Sequence, residues 1–376
     1  MFLLLAEGLN IGGVARALPN SPVWQFLHAQ QTHVEWVGCV IHDMIQPSFS
    51  FLVGVALPFS VANRRARGQS AEAVTGHAFV RALILVLLGI FLRSVGRPQT
   101  YFTFEDTLSQ IGLGYGFLYL LALRSVRAQW IALGVILGGY WLAFALWPLP
   151  GPDFDWARVG VPAGWLAENG LNGFAAHWNK NSNLAWAFDT WFMNLFPREK
   201  PFVFNTGGYS TLSFIPTLGT MILGLIAGET LRSERAGGAK VRWLVVAGIV
   251  GIAVAWLLGA LGICPVVKRI WTPAWTLFSG GLCFLFLAGF CWLTEVRGYR
   301  KWAFPLVVIG ANSMAAYLMA HLWERFILDS FRIHLGAHAF AFLGTPYETL
   351  VRGLAVLGVY WMLLYWMYKR KLFLKV

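Results

Sequence analysis

Charge is what this chain has little of. Only 12% of its 376 residues are Asp, Glu, Lys or Arg, while 57% are hydrophobic and the mean hydropathy is +0.60. A soluble globular chain carries roughly a quarter charged residues to cover its surface. A soluble globular enzyme is therefore excluded, and so is a disordered chain, which needs high charge and few aromatics. Cysteine is scarce as well. Cys39, Cys264, Cys283 and Cys291 show no CxxC spacing, which excludes a disulfide-stapled secreted domain and reads as small packing residues rather than metal ligands. GxxxxGK[ST], HExxH, GxSxG and Rossmann fingerprints are missing, so the common phosphate-loop, zinc-protease, hydrolase and dinucleotide motifs give no lead. No internal repeat stands out, so sequence symmetry gives no support to an inverted-repeat transporter.

What the chain does have is Gly (40), Trp (19) and Phe (29). In membrane helices Gly allows close packing and aromatics collect at the interfaces. Apolar runs bounded by charge or turn residues predict spans at about 38–62, 76–95, 107–123, 128–147, 212–231, 243–263, 274–294, 303–322 and 350–368. A short fragment from Met1 to about Ile11 precedes them. The expectation is an all-α polytopic membrane bundle of about ten helices, forming a single domain over residues 1–376. The first run, MFLLLAEGLN, is too short to cross a bilayer and has neither the basic region nor the cleavage site of a signal peptide. An N-terminal stretch is expected to be missing there.

The formal charge of +12 and pI near 9.8 have a topological explanation. With a cytoplasmic N-terminus, the inner segments carry Arg64, Arg65, Arg67, Arg124, Arg127, Arg232, Arg235, Lys240, Arg242, Arg297, Arg300, Lys301, Lys369, Arg370, Lys371 and Lys375. That is more than half of the 29 basic residues, packed into five short stretches. The positive-inside rule then places both termini in the cytoplasm. The bilayer is the expected partner, and nucleic acid is not indicated. The outer loops are 12–37, 148–211 (the largest, with His177-Trp178-Asn179-Lys180-Asn181) and 323–349.

Ionisable groups inside a bilayer are expensive, which makes those kept there functional candidates. The second span is densest: His33, Glu35 and Trp36 lead into His42, Asp43 and Pro47. His42, Gln46 and Ser50 share one helical face, and Pro47 is expected to kink the helix as part of a cavity wall. His33 near the outer mouth reads either as a proton acceptor or acyl carrier, or as an interfacial histidine bonded to a loop carbonyl. Asp43, Glu7 and Asn312 read as chemistry or as helix-to-helix hydrogen-bond partners. Arg81 reads as a snorkelling side chain or a phosphate ligand. The Cys264–Pro273 loop, with Lys268, Arg269 and Trp271, reads as an interfacial anchor or a sugar platform. His334/His338 and Asp153/Asp155 are too weak as patterns to predict a metal site, and none is predicted.

Read together, His33-x-Glu35-Trp36-x-Gly38 followed by Asp43, Pro47, Phe49, Phe51 and Gly54 resembles the signature of the heparan-α-glucosaminide N-acetyltransferase family and its bacterial relatives, within a wider superfamily of transmembrane acyltransferases. The likeness continues at Leu108–Tyr115, at Asn183-Leu184-Ala185 through Asp189, at Pro265–Thr272 (Pro-x-x-Lys-x-x-Trp-Thr) and at Gly310-Ala311-Asn312-Ser313. The resemblance implies an enzyme of a bacterial-type inner membrane that takes acetyl from cytosolic acetyl-CoA and delivers it to a glycan or amino sugar outside. His33 is its catalytic residue, and Asp43, Lys268 and Trp271 are family positions. Two departures are that the family's Leu-Asp-x-x-Arg-Gly lead-in is absent and that Glu7 stands where the family has Asn. The second leaves open whether the acceptor is an amine or a hydroxyl.

Acetyl transfer needs a base for the acceptor, donors for the oxyanion and exclusion of water. The expected roles follow. His33 takes the proton or carries the acetyl, with Asp43 or Glu7 orienting it. Asn312 and Ser313 meet the thioester end of acetyl-CoA, and Arg81 its phosphates. Trp36, His42, Lys268 and Trp271 face the acceptor. A homodimer is compatible with this reading. The alternatives are a transporter or flippase for a sugar-linked substrate, and a membrane glycosyltransferase using Asp153 or Asp155.

Overall fold

The computed structural model describes residues 8–374. Most of the described residues are helical, and their one β-bridge pairs Val37 with Val267. Helix starts follow local chemistry, because Ser, Thr, Asp and Asn side chains accept the first free backbone N–H groups. Ser70 caps α4 (Ala71–Ser94), Asp106 caps α5 (Thr107–Ala122), Ser125 caps α6 (Val126–Ala145), Asn183 caps α8 (Leu184–Phe192) and Thr272 caps α11 (Pro273–Cys291). The remaining helices are α1 (Ile11–Ala17), α2 (Pro22–Gln30), α3 (Ile45–Ala66), the single turn α7 (Trp165–Asn169), α9 (Phe214–Arg232), α10 (Gly237–Ala260), α12 (Phe304–Ala311), α13 (Ser313–Leu322), α14 (Glu324–Leu335) and α15 (Glu348–Lys369).

Among the described residues seven helices are long and apolar enough to cross a membrane, or up to eight if a bent pair is counted as one span. This is fewer than the expected ten, for identifiable reasons. Helix α5 has 16 residues, short of the roughly 20 that span a bilayer. The fragment ending near Ile11 falls largely outside the described residues, and Asn10 breaks the chain there with φ +41°. The span expected at 303–322 is two helices, α12 and α13, bent by 68° at Asn312. Pro47 does not sit mid-helix. It is the third residue of α3, where its missing N–H would have found no intrahelical acceptor in any case. Pro58 is the one inside the helix.

The chain divides into two compact units. The larger comprises residues 35–39 and 46–297. Its centre is α9, buried continuously from Pro216 to Gly228 and packed on α5, α6 and α11. Helix α3 approaches α9 backbone to backbone. A Cβ on Gly224 would strike the Phe51 carbonyl, and one on Gly228 would lie 2.5 Å from the Val55 carbonyl oxygen. Helices α10 and α11 meet the same way, since a Cβ on Gly248 would lie 2.8 Å from the oxygen of Gly281. Small residues substitute for the missing hydrophobic drive between helices in an apolar medium. Outward, α10 exposes Val246, Ile249, Val250, Val254, Trp256 and Leu257, the pattern of a helix that faces hydrocarbon.

The smaller unit comprises residues 8–34, 40–45 and 298–374 of the described chain. Helix α15 packs on α12 and α1. Asn312 is 1% exposed, and its side chain clamps the segment after α15: Nδ2 donates to the Leu372 carbonyl (2.9 Å), and Oδ1 accepts from the Leu374 N–H (2.9 Å). These bonds satisfy a polar group that would otherwise be stranded at the helix break.

Candidate functional site

In the smaller unit, a loop and a short 3-10 turn (Ile41–Met44) bring together three of the expected residues. Asp43 is fully buried. Its Oδ2 accepts from the Val40 N–H (3.1 Å), and its Oδ1 lies 2.6 Å from His33 Nδ1. A buried carboxylate on Nδ1 fixes the imidazole's orientation and places the Nδ1 hydrogen, leaving proton transfer to Nε2. The His33 side chain is 34% exposed. His42 stands edge-on to it, ring centroids 4.3 Å apart. Gln30 Oε1 accepts from the Ile41 N–H (3.2 Å) and so ties the turn to the end of α2. A buried acid, a partly exposed imidazole and a neighbouring aromatic have the chemistry that acid–base transfer requires. Glu7, the other expected carboxylate, lies outside the described residues.

The other expected residues are distributed differently. Asn312, also of the smaller unit, spends its amide on the chain after α15, as described above, and the expected donor to a thioester is bonded to backbone instead. Ser313 is exposed at the start of α13. Trp36, Lys268, Trp271 and Arg81 belong to the larger unit. Trp36 and Trp271 are each 1% exposed. Their indole N–H groups donate to the Trp178 carbonyl (3.0 Å) and to Thr220 Oγ1 (3.0 Å). Neither indole presents an open ring face to a sugar. Lys268 is buried beside them in sequence. The Pro265–Thr272 segment serves as a helix entry: Thr272 Oγ1 donates to the Pro265 carbonyl (2.7 Å) and accepts from the Val267 (3.1 Å) and Trp275 (3.2 Å) N–H groups.

A second polar cluster in the larger unit was not foreseen. Glu35 Oε1 accepts from Trp165 Nε1 (2.6 Å) and lies 3.5 Å from Lys180 Nζ, while Oε2 is 4.0 Å from Arg269. Lys180 is buried, with its ammonium 5.4 Å from the centroid of Trp165. Burial pushes the Glu35 carboxyl up, but the Trp165 hydrogen bond and the Lys180 and Arg269 charges outweigh it and hold it below the usual carboxylate range. Glu35 was visible in the motif, but its partners are 130 or more positions away, and no local spacing announces them. Around the cluster, asparagines pin the long loop. Asn181 donates to the Val159 (2.8 Å) and Asn205 (3.0 Å) carbonyls, and Asn179 exchanges two bonds with Leu171. Asp189 on α8 is buried with Oδ2 accepting from the Thr211 N–H (2.9 Å), and burial pushes its carboxyl up to about 7.

A third group lies at the joined ends of α3 and α4. Arg81 donates to Tyr115 Oη (3.2 Å), with its guanidinium 4.8 Å from that ring's centroid, and its Nε is buried with no hydrogen-bond partner. One turn away Arg64 lies 2.8 Å from His77 Nε2. These residues line a cleft of about 20 Å³, room for about one water. Two guanidiniums and an imidazole with an unspent donor are the chemistry that meets a phosphate at a cleft rim. Among the described residues no three His, Cys, Asp or Glu side chains gather as a metal site. Asp155 caps a turn by accepting from the Arg158 N–H (3.0 Å).

No protein-family profile matches the chain. It is similar to the heparan-alpha-glucosaminide N-acetyltransferases of Homo sapiens and Mus musculus, 20% identical to each over 414 residues. These alignments take in 100% of this chain and 58% and 59% of the two proteins, so the chain spans about three fifths of their length. The likeness supports a distant relationship to acetyltransferases.

Proposed function

We infer that this chain is a multi-pass membrane acyltransferase that moves an acetyl group from cytosolic acetyl-CoA to a sugar amine or hydroxyl on the opposite side of the membrane. The observation that carries the reading is the His33–Asp43 pair: an imidazole held at 2.6 Å by a fully buried carboxylate, in a chain whose relatives are acetyltransferases. Acetyl-CoA, as substrate, supplies an activated thioester. His33 Nε2 removes the proton as the acceptor's nitrogen or oxygen forms its bond to the carbonyl carbon, and the proton passes on to the departing thiolate. Asp43 holds the ring through Nδ1 and stabilises the imidazolium formed midway. Arg81, with Arg64 and His77, fits the phosphates of the donor, because the buried Arg81 Nε has an unspent hydrogen. The orientation, with both termini cytoplasmic, rests on the charge distribution of the loops.

The test is incubation of purified full-length protein with labelled acetyl-CoA, alone and with glucosamine, a glycan ending in glucosamine, and a glycan offering only hydroxyls. Label should move to one acceptor class and be lost in His33→Ala that unfolds at the wild-type temperature. Wild-type transfer by that variant would remove the central residue. Transport of a sugar-linked substrate has one observation in its favour, the span broken at Asn312, since discontinuous helices form substrate sites in transporters. A transporter would be indifferent to acetyl-CoA, whereas the enzyme should be stabilised by it against heat.

A further inference from the structure

The cavity bounded by residues 97–102 and 197–204 has no part in the reading above. Its volume is about 370 Å³, and it lies wholly within the larger unit. Arg97, Arg198 and Lys200 line it, against one carboxylate, Glu199. The two arginines share one aromatic wall. The Arg97 guanidinium lies 3.7 Å from the centroid of Tyr101 and that of Arg198 5.6 Å from the same centroid, with Phe202 5.4 Å from Arg198.

The two arginines are positioned, not trailing. Arg97 Nε donates to the Arg93 carbonyl (3.1 Å). Arg198 donates from Nε to the Met193 carbonyl (2.7 Å) and from a terminal nitrogen to the Phe102 carbonyl. Among the described residues none of the three is ion-paired with a carboxylate. Glu105 and Asp189 act on Arg198 only at longer range, from the protein side. Like charges fixed around one ring repel, and an anion between them relieves that repulsion.

The surroundings say where such an anion comes from. Arg97 follows α4 by three residues, and α5 begins shortly after, so the cavity sits at the ends of these two apolar helices. Phe91 and Val95 at the end of α4, and Trp191 and Leu195 at the end of α8, are each more than half exposed. Exposed aliphatic and aromatic side chains beside cations are the chemistry of the bilayer interface. We propose that this cavity binds a phosphate ester, held by Arg97, Arg198 and Lys200 and presented by a phospholipid headgroup whose chains lie on Phe91, Val95, Trp191 and Leu195.

The test titrates phosphatidylglycerol and phosphatidylcholine against full-length protein in neutral detergent, with retention read by native mass spectrometry. A parallel arm follows thermal unfolding in inorganic phosphate. The Arg97→Gln/Lys200→Gln double variant alters only exposed cations and spares the Arg198 bonds that hold the backbone. Wild type should retain phosphatidylglycerol in preference, and the variant should lose roughly 5-fold in affinity per cation, about 25-fold together. Stabilisation by inorganic phosphate without lipid preference, abolished in the double variant, supports the same site with a soluble phosphate ester as occupant. Equal retention of both lipids with no phosphate effect overturns the proposal, and so does a preference that survives in the double variant.

Discussion

Replacing Asp189 by Asn should flatten the pH dependence of this protein's stability. The carboxyl is 4% exposed, its Oδ1 has no hydrogen-bond partner, and Oδ2 accepts from the Thr211 N–H. Burial pushes it from its ordinary 3.8 up to about 7, reinforced by Glu105 and opposed by the Thr211 hydrogen bonds and by Arg198. Because the folded chain holds this proton more tightly than the unfolded one, the associated stability is complete below pH 4. It is lost as pH rises to about 7, and is constant beyond. At 1.36 kcal/mol per pH unit, the ionised folded state is about 4 kcal/mol less stable than the protonated one. Of this, about 2–3 kcal/mol falls between pH 5 and pH 8. Asn keeps an acceptor for Thr211 but adds a buried donor, which costs about 1–3 kcal/mol at every pH. Relative to wild type the variant should therefore gain about 2–3 kcal/mol between pH 5 and pH 8 and be the more stable protein at pH 8. Thermal unfolding in detergent, followed by tryptophan fluorescence at both pH values, reads this change. Parallel pH dependences for the two proteins would refute the reasoning, since Glu105 is common to both.

Three further outcomes are expected. Asp43→Asn would set an amide N–H₂ against His33 Nδ1 and impose the wrong tautomer, so kcat for acetyl transfer should fall about 10²–10⁴-fold. The KM for acetyl-CoA should stay unchanged in steady-state assays. Arg81→Gln should raise the KM for acetyl-CoA about tenfold, the loss of one charge-assisted phosphate contact, and leave the KM for the sugar alone; a lower unfolding temperature with both constants unchanged would leave Arg81 as a snorkelling side chain. Gly224→Val would drive two methyl groups toward the Phe51 carbonyl and should cost at least 1–3 kcal/mol, seen as lost monodisperse yield on gel filtration, whereas Gly134→Val, in open space, should behave as wild type.

Much of this architecture was legible because run length and charge placement are local properties. The apolar stretches mark helices without reference to the rest of the chain. Features that depend on distant partners were not legible. The break at Asn312 exists because two backbone groups at Leu372 and Leu374, 60 residues on, satisfy its amide. Nothing at 303–322 distinguishes that from glue between helices. Pro47 was placed mid-span because the helix start depends on the 3-10 turn before it. His33 and Asp43 were singled out for the cost of their placement, and they meet at 2.6 Å across a separation of ten positions. Glu35 stayed without a role, since Trp165, Lys180 and Arg269 come to it from remote loops. Trp271 read as part of a platform because a tryptophan among cations is common at interfaces, and Trp36 was expected to face the acceptor, yet both indoles fill the core.

The contact of α3 with α9 has a mechanical consequence. Where peptide carbonyls rest on Gly224 and Gly228, no side chain lies between the helices to change rotamer and lubricate a slide. Sliding one helix along the other would move Gly224 off the Phe51 carbonyl and bring Cβ-bearing residues of the same face, such as Met221, toward it. The two helices must travel as one rigid strut, so any flexing of this unit has to be absorbed elsewhere in the chain.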